Sequence, residues 1–258
     1  MWGTHRVITV HTVGQRSIVI NIDERAMLSG SCPAGWAATI NALVTSRVIQ
    51  TDRIRSVMEQ VNRQNYCQTA RGCYDDCPQR IGWGITISAP HMHARALEEL
   101  APKLQPGARA LDVGSGSGFL AVAMAKCVEP SGVTIGIDHV SDLVDWSREN
   151  VRRDGKQGLI DSGTLELHVR DGFKGYAEGG PYDAIHVGAA PEQIPPALLE
   201  QLKPSGVLLL PVGPTGGVQS FVKVTRDADP AVKKYHKERL FDVRYVPLTT
   251  VERQLRGS

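Results

Sequence analysis

The stretch Leu111-Asp112-Val113-Gly114-Ser115-Gly116-Ser117-Gly118 constrains this chain more than any other. An apolar run, Arg109 to Val113, leads into it. Phe119, Leu120, Ala123, Met124, Cys127 and Val128 follow at helical spacing. A strand that passes through three glycines at alternate positions into a helix makes a tight turn of nearly bare backbone. The alternation then continues. Val133 to Ile137, Thr164 to Val169, Tyr182 to Val187 and Val207 to Leu210 read as strands, while Ser141 to Arg153 and Ile194 to Leu202 read as helices. Strands separated by helices predict a parallel sheet covered on both faces. Ser220 to Thr225 and Leu240 to Val246 read as late strands on a mixed edge. Ligands of such sheets bind beyond the carboxyl ends of the strands, which is where the glycine turn lies.

Upstream, the pattern is helical from Trp36, and Thr51 reads as the N-cap of a helix carrying Ile54, Val57, Met58 and Val61. An irregular segment with Gly72, Pro78, Gly82 and Gly84 comes next. Ile85-Thr86-Ile87-Ser88 then runs into a helix reaching Leu100, with Ser88 as its N-cap and Pro90 in its first turn. Residues 1–33 hold only short β-prone runs and end in a Gly/Ser/Pro stretch, so they read as a poorly ordered extension preceding a single domain over 34–258.

Bulk properties exclude several roles. A net charge of +2, 5% aromatic residues and no basic stripe argue against nucleic acid. No apolar run approaches the roughly 20 residues that cross a bilayer, so no membrane partner is expected. Five cysteines cannot all pair, and they read as reduced thiols of a cytoplasmic protein. No metal is expected: Cys67, Cys73 and Cys77 lack a second ligand pair, and His91 with His93 lacks a third ligand. Nothing in the chain demands an oligomer, and a monomer is expected.

The glycine turn also discriminates between ligands. The dinucleotide fingerprint is Gly-x-Gly-x-x-Gly with a pyrophosphate on the helix N-terminus. Here the spacing is Gly-x-Gly-x-Gly, and Asp112 stands two residues before the first glycine. A carboxylate there repels a pyrophosphate and suits a ligand with an ammonium group, as S-adenosylmethionine has. Asp138, at the end of the second strand, can accept hydrogen bonds from two ribose hydroxyls or can cap the next helix. Asp171-Gly172 can flank an adenine or simply make a turn.

Several stretches together resemble the protein L-isoaspartyl (D-aspartyl) O-methyltransferase family. They are Gln79 to Gly82, Thr86-Ile-Ser-Ala-Pro-His-Met-His-Ala94, Ala110 to Gly118, Gly136-Ile-Asp-His139, Tyr182 to Ala190, Gln201 to Pro204, Leu210 to Pro214 and Tyr245-Val-Pro-Leu-Thr249. The resemblance spans about Trp36 to Thr249, and the Thr86–His93 stretch is the part specific to this family. It implies a class I methyltransferase fold of the Rossmann-like, doubly wound α/β kind, mostly parallel with antiparallel edge strands. It further implies transfer of a methyl group from S-adenosylmethionine, leaving S-adenosylhomocysteine, to the free carboxylate of isoaspartyl residues in damaged peptides and proteins. The ester then closes to a succinimide and partly reopens as normal aspartate.

By the same resemblance Ser88 is the active-site serine, orienting the substrate carboxylate without acting as a nucleophile. The implied cofactor site comprises Ile85, Thr86, Ile87, Ser88, His93, Asp112, Val113, Gly114, Ser115, Gly116, Ser117, Gly118, Asp138, His139, Asp171, Gly172 and Thr249. The chain departs from the family pattern at Arg170-Asp-Gly-Phe173, at Ala189-Ala190-Pro191 and at Arg71 to Asp76. A nicotinamide oxidoreductase on the same sheet is disfavoured by the glycine spacing and Asp112. A methyltransferase of RNA or small molecules is disfavoured by the Thr86–His93 stretch. A non-catalytic adaptor is disfavoured by the intact Ser88 and glycine turn.

Overall fold

The computed structural model describes residues 35–250 and Arg253. The expectation for residues 1–33 lies outside the described residues. Helix α1 (Trp36–Thr45) and helix α2 (Asp52–Gln60) come first, followed by strands β1 (Gln79–Gly82) and β2 (Ile85–Ile87) and helix α3 (Pro90–Leu100). The alternating region holds β3 (Arg109–Val113), α4 (Phe119–Val128), β4 (Val133–Asp138), α5 (Ser141–Arg153), α6 (Gln157–Asp161) and β5 (Leu165–Val169). It ends with β6 (Tyr182–Val187), α7 (Pro196–Glu200), β7 (Leu202–Val212), β8 (Gln219–Arg226) and β9 (Tyr235–Val243).

Seven strands form one sheet in the order β5-β4-β3-β6-β7-β8-β9. The first five are mutually parallel, and β8 and β9 run antiparallel at one edge. The predicted mostly parallel, doubly wound α/β sheet with antiparallel edge strands is therefore present.

Side chains alternate across a strand. Leu111, Val113, Ile135, Ile137, Ile185 and Val187 accordingly pack on one face with Leu198 of α7. Ala110 and Ala184 join the opposite core with α1, α2, α3 and α4. Helix α4 is buried almost all round, which explains its nearly uniform apolar sequence.

Several boundaries move for local reasons. The expected helix from Ile194 shrinks to Pro196–Glu200, because Pro195 and Pro196 disfavour helical geometry in the residue before each of them. Strand β7 extends from the expected four residues to Leu202–Val212. Strand β9 begins at Tyr235 and ends at Val243, so Tyr245 and Val246 leave the sheet. Strand β1 was unforeseen. It pairs antiparallel with β2 through the two-residue turn Trp83-Gly84, with φ of 49° and 70°. Positive φ at both positions matches the right-handed twist of a hairpin, and Gly84 supplies the freedom.

One correction bears on function. Ser88 does not cap α3. The N-cap is Ala89, Pro90 occupies the first position, and Asp76 from the preceding loop accepts the His91 backbone N–H at 2.8 Å. The Ser88 hydroxyl is thereby left for other partners.

Candidate active site

The site grows from the carboxyl ends of β3 and β4. Beyond Val113 the chain turns at once, and the Gly114 and Ser115 N–H groups donate to the Ile137 carbonyl at 2.8 and 3.0 Å. The turn closes at Gly118, whose φ of +87° starts α4 in a conformation costly for any side chain. The Asp138 carboxylate accepts from the Gly116 N–H at 3.2 Å and the Val140 N–H at 3.3 Å. It is not the α5 N-cap, which is Val140. Burial raises the Asp138 carboxyl above its ordinary range, while the N–H groups of Val140, Gly116 and His139 partly offset this.

Register places a second buried group beside Asp112. Strands β3 and β6 align Asp112 with His186, and Asp112 Oδ1 lies 2.8 Å from His186 Nδ1. A carboxylate only accepts, so Nδ1 carries the ring proton in a neutral His186.

Three further elements wall the cavity. The β2 arm brings Ile85, Thr86, Ile87 and Ser88, and α3 brings His93. His93 is buried and stacks on Phe119, with centroids 4.8 Å apart. Burial, with the Arg63 guanidinium adding, holds its imidazole well below the usual range, so it is neutral at physiological pH.

The third wall is a C-terminal strap, Val246 to Thr249. Ala190 stitches it down: its N–H donates to the Val246 carbonyl at 2.8 Å, and its carbonyl accepts from the Leu248 N–H at 2.9 Å. Gln219, itself buried, clamps the residue before the strap. Its Oε1 accepts the Tyr245 N–H at 2.7 Å, and its Nε2 donates to the Tyr245 carbonyl at 3.2 Å. Burial pushes the Tyr245 hydroxyl up to about 12, with the neighbouring Ser88 side chain acting in the opposite direction.

Of the residues expected at the site, Ile85, Thr86, Ile87, Ser88, His93, Asp112, Gly114, Ser115, Gly116, Ser117, Asp138, His139, Gly172 and Thr249 line this one cavity. Three do not. Val113 is buried within the sheet and packs toward Gly172. Gly118 turns toward Ser147 of α5. Asp171 faces its own turn, accepting the Phe173 N–H at 2.9 Å, with Lys174 at 3.8 Å.

Val246, Pro247 and Leu248 also line it; with Thr249 they form the segment that the family resemblance implies closes over the cofactor, while Phe119, Leu120, Ile137, His186, Gly188 and Ala189 were not foreseen. A histidine inside the apolar run Ala184-Ile-His-Val187 was a usable signal for His186. The strap residues carry no such mark, because a bridge to Ala190 brings them in.

Bare backbone, two buried carboxylates and an apolar floor fit an adenosyl ligand with an ammonium group. Asp112, buried beside the glycine turn, disfavours a pyrophosphate there. Fold and site together define an S-adenosylmethionine-dependent methyltransferase of the class I kind. The sequence profile described as Protein-L-isoaspartate(D-aspartate) O-methyltransferase matches residues 36–253. This chain therefore belongs to the protein-L-isoaspartate (D-aspartate) O-methyltransferase family.

Its relatives agree. A protein-L-isoaspartate O-methyltransferase of Triticum aestivum is 44% identical over 86% of this chain and 94% of its own length. One from Caenorhabditis elegans is 42% identical over 83% of this chain and 92% of its own. A Plasmodium falciparum structure assigned to the same activity and solved in complex with S-adenosyl-L-homocysteine is 35% identical. It covers 83% of this chain and 98% of its own, with a TM-score of 0.75.

Proposed function

We propose that this cavity binds S-adenosylmethionine and receives the free carboxylate of an isoaspartyl residue, the acceptor of the methyl group. The observation that carries this is the convergence of the glycine turn, Asp112, Asp138 and Ser88 on one cavity. When bound, the cofactor supplies an electrophilic methyl on a sulfonium. Asp112 would hold its ammonium group and Asp138 its ribose hydroxyls. Ile85 to Ile87, Gly172 and Thr249 form the remaining walls, and Val113, Gly118 and Asp171 support the turns that shape it.

No general base is required of the protein. The acceptor is a free carboxylate with a pKa of roughly 3.5, already ionised at neutral pH. The chain's own task is alignment and exclusion of water. Ser88 suits the alignment: it is not engaged in capping α3, lines the cavity and lies beside the Tyr245 side chain. The strap over the cavity limits entry of water.

The test supplies labelled S-adenosylmethionine with an isoaspartyl peptide and with its normal aspartyl counterpart. Base-labile methyl ester on the first alone is expected; label on neither peptide overturns the assignment.

The domain over 34–258 is proposed to act as a monomer in the cytoplasm. The odd cysteine number supports a reducing compartment, and among the described residues no helix is long and apolar enough to cross a membrane. Light scattering on purified protein tests the monomer, and fractionation tests the compartment.

A further inference from the structure

Behind the His93 wall lies Arg63, a side chain that methyl transfer does not use. It is 0% exposed, yet among the described residues no carboxylate forms an ion pair with it. Its Nε donates to the Cys73 carbonyl at 2.8 Å. Its Nη2 is buried and has no hydrogen-bond partner among the described residues. Burying a guanidinium on such terms is costly, so folding alone favours an uncharged side chain at this position.

The third nitrogen shows what the charge does. Arg63 Nη1 lies 3.5 Å from His93 Nδ1, and the guanidinium carbon sits 5.9 Å from the centre of the Phe119 ring on which His93 stacks. Arginine can only donate. His93 Nδ1 must therefore be the acceptor, and in a neutral imidazole the proton then resides on Nε2. The groups acting on His93 are Arg63, His186 and His91, and none of them is an anion. His91 is itself tied to Asp76, with Nδ1 2.9 Å from Oδ1.

We propose that Arg63 is a positioning residue that fixes the Nε2–H tautomer of His93, so that the cavity wall presents a neutral donor to a carboxylate. This rests on the cavity being the methyl-transfer site. Two carboxylates meet there, that of the isoaspartyl acceptor and that of the cofactor's amino-acid end, and both would be recognised by the same N–H. The opposite arrangement holds at His186, where the Asp112 carboxylate retains a proton on Nδ1. The cavity thus holds two histidines whose Nδ1 atoms face opposite partners, a guanidinium donor at His93 and a carboxylate acceptor at His186.

Long-range proton–nitrogen correlation on full-length, histidine-labelled protein tests this directly, with His93→Asn identifying the signal. Wild type should show His93 protonated at Nε2 alone; protonation at Nδ1 overturns the proposal whatever any variant does. Arg63→Leu should populate the Nδ1–H form, and Arg63→Gln, whose amide can still donate, should restore the original pattern. An unchanged His93 signal in folded Arg63→Leu also overturns it.

Loss of one hydrogen bond to a charged group should weaken ligand recognition by about ten- to a hundredfold in Arg63→Leu. A rise in KM for the isoaspartyl peptide places the Nε2–H on the acceptor. A rise in the Kd of S-adenosylhomocysteine, measured calorimetrically, places it on the cofactor. A shift in neither overturns the role. Wild-type protein that binds no S-adenosylhomocysteine defeats the assignment of the cavity instead, a result distinguishable because the tautomer is measured without ligand.

Discussion

The proposed function assigns Ser88 to the acceptor and Asp138 to the cofactor, so their substitutions should separate. Ser88→Ala removes a hydroxyl from the cavity wall and leaves the glycine turn intact. We expect turnover to fall about ten- to a hundredfold, as for loss of a hydrogen bond to a charged group, with the Kd of S-adenosylhomocysteine nearly unchanged. Initial rates and calorimetry check both halves, and near-normal turnover would remove Ser88 from the mechanism. Asp138 carries a different signature. Its folded-state pKa is raised by burial, so its contribution to stability is present below the unfolded pKa and lost as pH rises through the folded one. At neutral pH, above the unfolded pKa, the group therefore costs stability, and Asp138→Asn should melt higher than wild type while binding S-adenosylhomocysteine more weakly. Affinity in the wild type should also decline on acidification at a pH above the roughly 3.9 of an ordinary aspartate. A pH profile unchanged in Asp138→Asn would show that another group is responsible.

Among the elements, the glycine turn and the strap are opposite kinds of structure. The turn is local: Gly118 must take a φ of +87°, and an added Cβ would lie 3.3 Å from that of Ser147. Gly118→Ala should destabilise the fold by about 1–2 kcal/mol from the left-handed conformation alone, measured by urea unfolding. The strap is held from a distance. Gln219 of β8 satisfies both backbone groups of Tyr245, and Ala190 pairs with the Val246 carbonyl and the Leu248 N–H. Gln219→Ala leaves the Tyr245 N–H and carbonyl without these partners, at about 1–3 kcal/mol. The loss should fall on the strap, so amide exchange at Tyr245 and Leu248 should quicken while exchange in β3 and β4 stays slow. Uniform acceleration would mean that the strap is not a separate unit.

Across the whole molecule, buried thiols make stability depend on alkaline pH. Burial lifts Cys67 and Cys127 from near 9 to about 11, and Tyr66 shifts in the same direction. These groups are neutral in the fold but ionise in the unfolded chain, so their contribution is present below pH 9 and lost through about pH 11. The urea midpoint should fall across that interval, and a flat profile would place the thiols in contact with water. The same whole-molecule view separates what was legible in sequence from what was not. Strand–helix alternation, the glycine turn, Thr51 as an N-cap and the two terminal carboxylates could be read directly, because periodicity, turn chemistry and capping act over a few neighbouring residues. The β1–β2 hairpin was hidden because its turn begins with Trp83, a residue that rarely takes positive φ. Ser88 was misread as a cap because the competing acceptor, Asp76, comes from a loop whose path no local pattern reveals. His186 met Asp112 only through strand register, Arg63 met His93 only through packing around Phe119, and the strap reached the cavity only through Ala190. The chain by itself thus determined the architecture and the two carboxylates at its strand ends. Tertiary structure decided which charged group faces each histidine and what lines the pocket, because those depend on partners tens of residues away brought together only when the core forms.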